Sequence, residues 1–105
     1  MSDEKWIAVG SPADLPEGSM KGIESGDLQI AVYNIEGEFF ATDNICSHAF
    51  ALLTDGFLDG DVVECPLHGG CFKVKTGEGM GAPISEDIKT FPVRVVGDTI
   101  EVQIA

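Results

Sequence analysis

A chain of 105 residues has room for one domain built on a modest core, and 44% hydrophobic residues exclude a disordered chain. Eighteen acidic residues against six basic ones leave a formal charge of −12, which repels phosphate backbones and argues against nucleic acid as a partner. No apolar run approaches the roughly 20 residues needed to cross a bilayer, and Met1–Trp6 has no basic start leading into an apolar stretch. A cytoplasmic protein with no signal peptide and no membrane segment is therefore expected.

Period-two patterning dominates the chain. Trp6–Val9 predicts a first strand, and Ser11–Pro16 a turn with one helical turn in it. Leu28–Ile35 predicts a strand that Glu36-Gly37 turns back into Glu38–Thr42 as a hairpin. Asp59-Gly60-Asp61 predicts a turn before a strand at Val62–Glu64, and Cys71–Val74 a strand beyond it. Thr90–Val96, the turn Gly97-Asp98 and Thr99–Ile104 close the chain as a second hairpin. No segment shows a long 3.6-residue period. The expectation is one all-β domain over residues 1–105, short antiparallel strands forming a sandwich or small barrel.

The chemistry concentrates in two short stretches, Asn44-Ile45-Cys46-Ser47-His48 and Glu64-Cys65-Pro66-Leu67-His68-Gly69-Gly70. Both histidines of the chain lie within three residues of a cysteine. Thiolate and imidazole together suit zinc, iron or an iron–sulfur cluster, while calcium would want carboxylates. In Cys46-x-His48 the side chains start about 7 Å apart along the backbone. That separation suits two bridged irons better than one small ion. Zinc sites pair Cys with Cys and His with His, at two to four and three to five intervening residues; here the types mix within each pair. Pro66 and Gly69-Gly70 make the second stretch a tight loop, of the kind that turns backbone N–H groups toward negative sulfur. Three cysteines in a chain without an export signal argue against a disulfide framework.

Cys46-x-His48, sixteen residues and Cys65-x-x-His68-Gly69 resemble the signature of Rieske proteins. Phe72, Thr76-Gly77-Glu78 and Gly81-Ala82-Pro83 match the tail of that motif, including its proline-bearing loop over the cluster. The longer pattern is similar to the ferredoxin components of bacterial aromatic-ring-hydroxylating dioxygenase systems of the naphthalene and biphenyl type. It runs from Lys5-Trp6-Ile7 through Leu15–Gly18 and Ala41–Asn44 to Ile88–Val93. The resemblance implies the Rieske fold with two cluster-binding loops at one end and a single [2Fe–2S] cluster. Cys46 and Cys65 would hold one iron, and His48 and His68 the other, near the surface. It implies a monomeric low-potential carrier with no catalytic residues, taking electrons from a flavin-dependent ferredoxin reductase and passing them to a terminal oxygenase. High-potential relatives carry an extra cysteine in each loop and serine and tyrosine hydroxyls; here Leu67, Gly70 and Phe72 stand at three of those positions. Fewer hydrogen bonds to sulfur predict a potential near the bottom of the range of about −150 to +300 mV for this cluster type.

Two other readings stand beside this one: a small Rieske-like subunit of nitrite reductase and a zinc-stabilised binding module. Cys71 reads as a small buried hydrophobe, with a nucleophile or exchanged ligand as the alternative. Trp6, Tyr33, Phe39, Phe40, Phe57 and Phe91 read as core, and Phe50 as an apolar collar beside the histidines. Between Lys21 and Lys73 lie nine acids and no Lys or Arg, a solvated face or a docking surface for a basic partner.

Overall fold

The computed structural model describes residues 4–46, 51–67, 69–81, 84 and 86–105. His48, Phe50, His68, Ala82 and Pro83 lie outside the described residues.

Among the described residues ten strands form in chain order: β1 (Trp6–Gly10), β2 (Met20–Ser25), β3 (Leu28–Ile35), β4 (Glu38–Asp43), β5 (Phe57–Asp59), β6 (Val62–Glu64), β7 (Cys71–Lys73), β8 (Thr90–Phe91), β9 (Val93–Val96) and β10 (Thr99–Gln103). Their pairings are antiparallel and give three sheets, ordered β1-β10-β9, β2-β3-β4-β8 and β5-β6-β7. Single 3₁₀ turns cover Pro12–Asp14 and Leu53–Asp55. The all-β expectation holds, as does the helical turn after β1. Among the described residues no helix is long and apolar enough to cross a membrane.

β3 organises the molecule. Side chains alternate across a strand, and both faces of β3 are covered. Ala31, Tyr33 and Ile35 enter one apolar cluster with Cys46, Leu53, Val63, Cys65, Phe72 and Val74. Ile30 and Val32 enter another with Val9, Ala41, Phe91, Ile100 and Val102. This explains why β3 reads as a nearly continuous apolar run rather than an alternation. One cluster joins the β3–β4 hairpin to the β1-β10-β9 sheet, and the other joins it to β5-β6-β7. The Tyr33 hydroxyl, fully buried, finds Thr42 Oγ1 at 2.8 Å across the hairpin. Burial pushes the Tyr33 phenol up to about 12, the Thr42 contact pulling slightly the other way.

The Glu36-Gly37 turn forms as expected, with both residues at positive φ (53° and 90°), the two-residue geometry whose twist matches the flanking strands. Asn34 completes it: its Oδ1 accepts from the Gly37 N–H and its Nδ2 donates to the Leu15 carbonyl.

Four expectations need correction. The stretch Thr90–Val96 is two strands in two sheets, because Pro92 has no N–H to continue a ladder and the chain crosses between layers there. The strand at Cys71 stops at Lys73. β2 and β5 were not expected; Met20–Ser25 carries Lys21, Gly22 and Glu24 and lies at a sheet edge, where burial imposes no alternation. Phe57 is not core. Leu58 packs inward, so alternation turns Phe57 outward, where it is 66% exposed.

Candidate metal centre

The second cysteine stretch grows out of the β6–β7 hairpin. Val63 and Phe72 oppose each other and are fully buried, which fixes the inward face of both strands. Counting by two from Val63 brings Cys65 inward, 1% exposed. The same count turns Glu64 and its partner Cys71 outward. The chain then closes on itself, the Cys65 N–H donating to the Gly70 carbonyl at 2.7 Å.

The first stretch repeats this plan on a smaller base. Ile45 and Leu52 form an isolated antiparallel bridge with both side chains outward, 42% and 36% exposed. Cys46 therefore points inward, 3% exposed, and its N–H donates to the Ala51 carbonyl at 3.0 Å. Each cysteine thus heads a loop closed onto the carbonyl five residues on. Ile45 corresponds to Glu64, and Leu52 to Cys71.

The two loops bring Cys46 and Cys65 together, side chain to side chain. Burial pushes the Cys65 thiol up; the Leu67 N–H, donating to its sulfur, works against this, and Cys46 alongside adds to the rise. All three cysteines are free. Two neighbouring thiols sealed among Leu53, Val63 and Phe72 have no hydrophobic rationale as a pair. Each can ionise there only if a cation compensates the charge. A donor set of adjacent buried sulfurs with an N–H directed at one of them fits an iron–sulfur group. Among the described residues no three potential ligands converge, the two candidate histidines lying outside them.

Two residues that the sequence reading did not single out hold the loops in place. Asn44 is 1% exposed and stitches the first loop to the turn after it. Its Oδ1 accepts from the Thr54 N–H at 2.9 Å, its Nδ2 donates to Thr54 Oγ1 at 3.0 Å, and its carbonyl accepts from the Leu53 N–H at 2.7 Å. Gly56 lets that turn lie against the second loop: a Cβ there would fall 1.9 Å from the Glu64 carbonyl oxygen and 3.1 Å from Pro66 Cδ. Only a residue without a side chain permits this approach.

Cys71 stands apart from the pair. It lies on the outer face of β7, half-buried, with Sγ 3.5 Å from the Gly69 carbonyl and 4.0 Å from Glu64 Oε1. Burial and the Glu64 carboxylate both push its thiol up, which does not suit a nucleophile. The expected buried position is thus corrected to a partly exposed one.

The sequence profile of the Rieske [2Fe-2S] domain matches residues 5–92. The chain belongs to the Rieske [2Fe–2S] family. This Rieske protein is 42% identical over 102 residues to the ferredoxin component of the naphthalene 1,2-dioxygenase system of Pseudomonas aeruginosa, covering 97% of this chain and 98% of that one. The Sphingomonas yanoikuyae B1 ferredoxin superposes with a TM-score of 0.90 at 35% identity, covering 96% of this chain and all of the other. A chain from the complex of reduced oxygenase and oxidised ferredoxin in carbazole 1,9a-dioxygenase gives 0.89 at 37% identity, over 92% of this chain and 91% of that one. As a Rieske ferredoxin the chain is an electron carrier rather than a catalyst, and its redox group is one [2Fe–2S] cluster.

Proposed function

We propose that this Rieske ferredoxin takes single electrons from a flavin-dependent ferredoxin reductase and delivers them to a terminal aromatic-ring-hydroxylating oxygenase. Its cluster would be held by Cys46, His48, Cys65 and His68, in one domain spanning residues 1–105. The observation that carries the site assignment is the pair of neighbouring buried thiols heading two similarly closed loops. His48 lies two residues beyond Cys46, and His68 three beyond Cys65, in those same loops. When bound, the cluster supplies a one-electron couple whose mixed thiolate and imidazole ligation sets its potential. The chain's own part is to exclude water and orient the sulfurs. Leu53, Val63 and Phe72 supply the dry wall, and the Leu67 amide supplies a fixed hydrogen bond.

The surface supports delivery to a partner. Leu67 (45% exposed) sits beside His68 in sequence, and Ile45 and Leu52 present an apolar patch at the base of the first loop. Of the nine acids between Lys21 and Lys73, seven are exposed, among them Asp55, Asp59 and Asp61 around β5 and β6. Such a field steers the carrier toward a basic docking face.

Purified protein tests the reading directly. It is expected to be red-brown, to hold two irons and two acid-labile sulfides, and to bleach with dithionite; a colourless, zinc-loaded protein would favour the binding module instead. Phe72 is fully buried and has no hydroxyl to offer sulfur, so film voltammetry is expected to give a potential near about −150 mV. A clearly positive value would remove the low-potential assignment. Transfer to the oxygenase is expected to slow as salt rises, since exposed charges are screened beyond about 8 Å at physiological ionic strength.

A further inference from the structure

The outer face of the β5-β6-β7 sheet carries two unlike rows. Val63 and Phe72 face the core, so alternation sends their chain neighbours outward. One row runs Asp59, Val62 and Lys73, and Lys73 pairs with Glu78 beyond the sheet at 3.6 Å. The other runs Phe57, Glu64, Cys71 and Met80. Register sets the first three opposite one another. Met80 joins them because Gly79 bridges Phe72 and the Met80 N–H donates to the Cys71 carbonyl at 2.9 Å. The charged row suits a sheet face turned to water. The second row ends in an exposed aromatic ring and an exposed thioether, with a half-buried carboxylate and thiol between them.

Single exposed apolar side chains need no explanation, whereas a grouped set marks an interaction surface. Aromatic residues and Met are the types enriched at protein interfaces. Both ends of the row rest on fixed backbone. Phe57 sits in the β5–β6 ladder. The Gly79 N–H donates to Asp87 Oδ1 at 2.9 Å, and a Cβ at Gly79 would strike Ile84 Cγ2, which holds the chain leading into Met80. Side chains presented this way lose little freedom on docking. The row is continuous with the second cysteine loop, since Glu64 and Cys71 are its two feet and Leu67 is exposed within it. Charge selects the occupant. Among the described residues no base pairs with Glu64, and Asp59 and Asp61 lie exposed on the adjoining strands. A second copy of this chain, net −12, would set acid against acid, whereas a basic partner would be drawn in.

We propose that the terminal oxygenase docks on this row, seating Phe57 in an apolar socket and meeting Glu64 with a basic side chain. The proposal rests on the reading of the chain as that oxygenase's electron donor, and it adds the outer sheet face to the loop surface.

Stopped-flow measurements on the holoprotein test it, following transfer to the oxygenase and, separately, reduction by the reductase. Phe57→Ser is expected to weaken the apparent affinity for the oxygenase about tenfold and Met80→Ser about threefold. Glu64→Gln is expected to flatten the dependence of that transfer on salt. Iron content, visible spectrum and the rate of reduction by the reductase should match the native chain in all three variants. Native-like transfer to the oxygenase by all three would overturn the proposal, and so would an equal slowing with the reductase. Should Phe57→Ser lose iron, Met80→Ser and Glu64→Gln decide. A native chain that passes no electron to the oxygenase would overturn the donor reading itself, an outcome distinct from native transfer that the variants leave unchanged.

Discussion

The two cysteine loops do the same job on unequal foundations. Each turns an inward cysteine toward the other and closes with an N–H to carbonyl bond five residues on. The second rises from a three-residue ladder whose inner face, Val63 and Phe72, is part of the core. The first rises from one isolated bridge with outward side chains, and its geometry depends on Asn44 and the turn at Leu53–Asp55. A ladder spreads the task of orienting a cysteine over many backbone bonds and buried side chains. A stitched bridge concentrates it in a few side-chain bonds, so single substitutions reach it more easily.

What the loops share sets the largest expected effect. Cys46→Ser or Cys65→Ser removes a sulfur from the buried pair, and a hydroxyl does not ionise there to replace it. Both variants are expected to lose the visible absorption and the iron to the same extent. A variant that kept a full complement of iron would break the equivalence of the two loops.

Gly56→Ala comes next, because it acts on the contact between the loops. The added Cβ meets the Glu64 carbonyl, a backbone group that moves only with β6. Overpacking against backbone should cost about 3 kcal/mol, the upper end of the usual range, and cluster yield should fall with it. Urea unfolding of the purified variant measures this; a shift under about 1 kcal/mol would mean that the loops part without strain.

Asn44→Ala separates the foundations. It strips two side-chain bonds from Thr54 and leaves a part-buried N–H without its acceptor, an expected loss of about 2 kcal/mol. The first loop alone should loosen. Hydrogen exchange at Cys46 and Leu53 is expected to rise while that of Cys65 and Phe72 stays near its original rate. Equal loosening of both loops would show that the second depends on the first.

The contrast also separates what could be read in the sequence from what could not. β3, β6 and the Glu36-Gly37 hairpin were legible because local pattern and turn chemistry agree with burial there. The pairing of Cys46 with Cys65 was implied by the resemblance to Rieske proteins; ligand type and spacing marked only the two Cys/His stretches. Asn44 and Gly56 were not legible, since their roles depend on where Thr54 and Glu64 arrive in space, and no local pattern encodes a contact across eight or ten residues. Phe57 was misplaced for a related reason: an aromatic residue in an apolar stretch looks like core until the register of a three-residue strand is known. Pro92 was a visible signal, a residue that ends a ladder, although the sequence alone does not show that the chain changes sheets there.

The smallest expected effect belongs to Cys71→Ser, and it tests the correspondence between the loops most closely. If Cys71 is the counterpart of Leu52, it occupies an outward position opposite the residue before the inward cysteine, and its sulfur faces away from Cys46 and Cys65. Serine keeps the size and can donate to the same Gly69 carbonyl that lies 3.5 Å from the thiol. Stability should change by no more than about 0.5 kcal/mol, and the absorption spectrum and potential should be unmoved. A changed spectrum would place this third sulfur within reach of the cluster and end the correspondence, because alternation along β7 cannot turn both Phe72 and Cys71 inward.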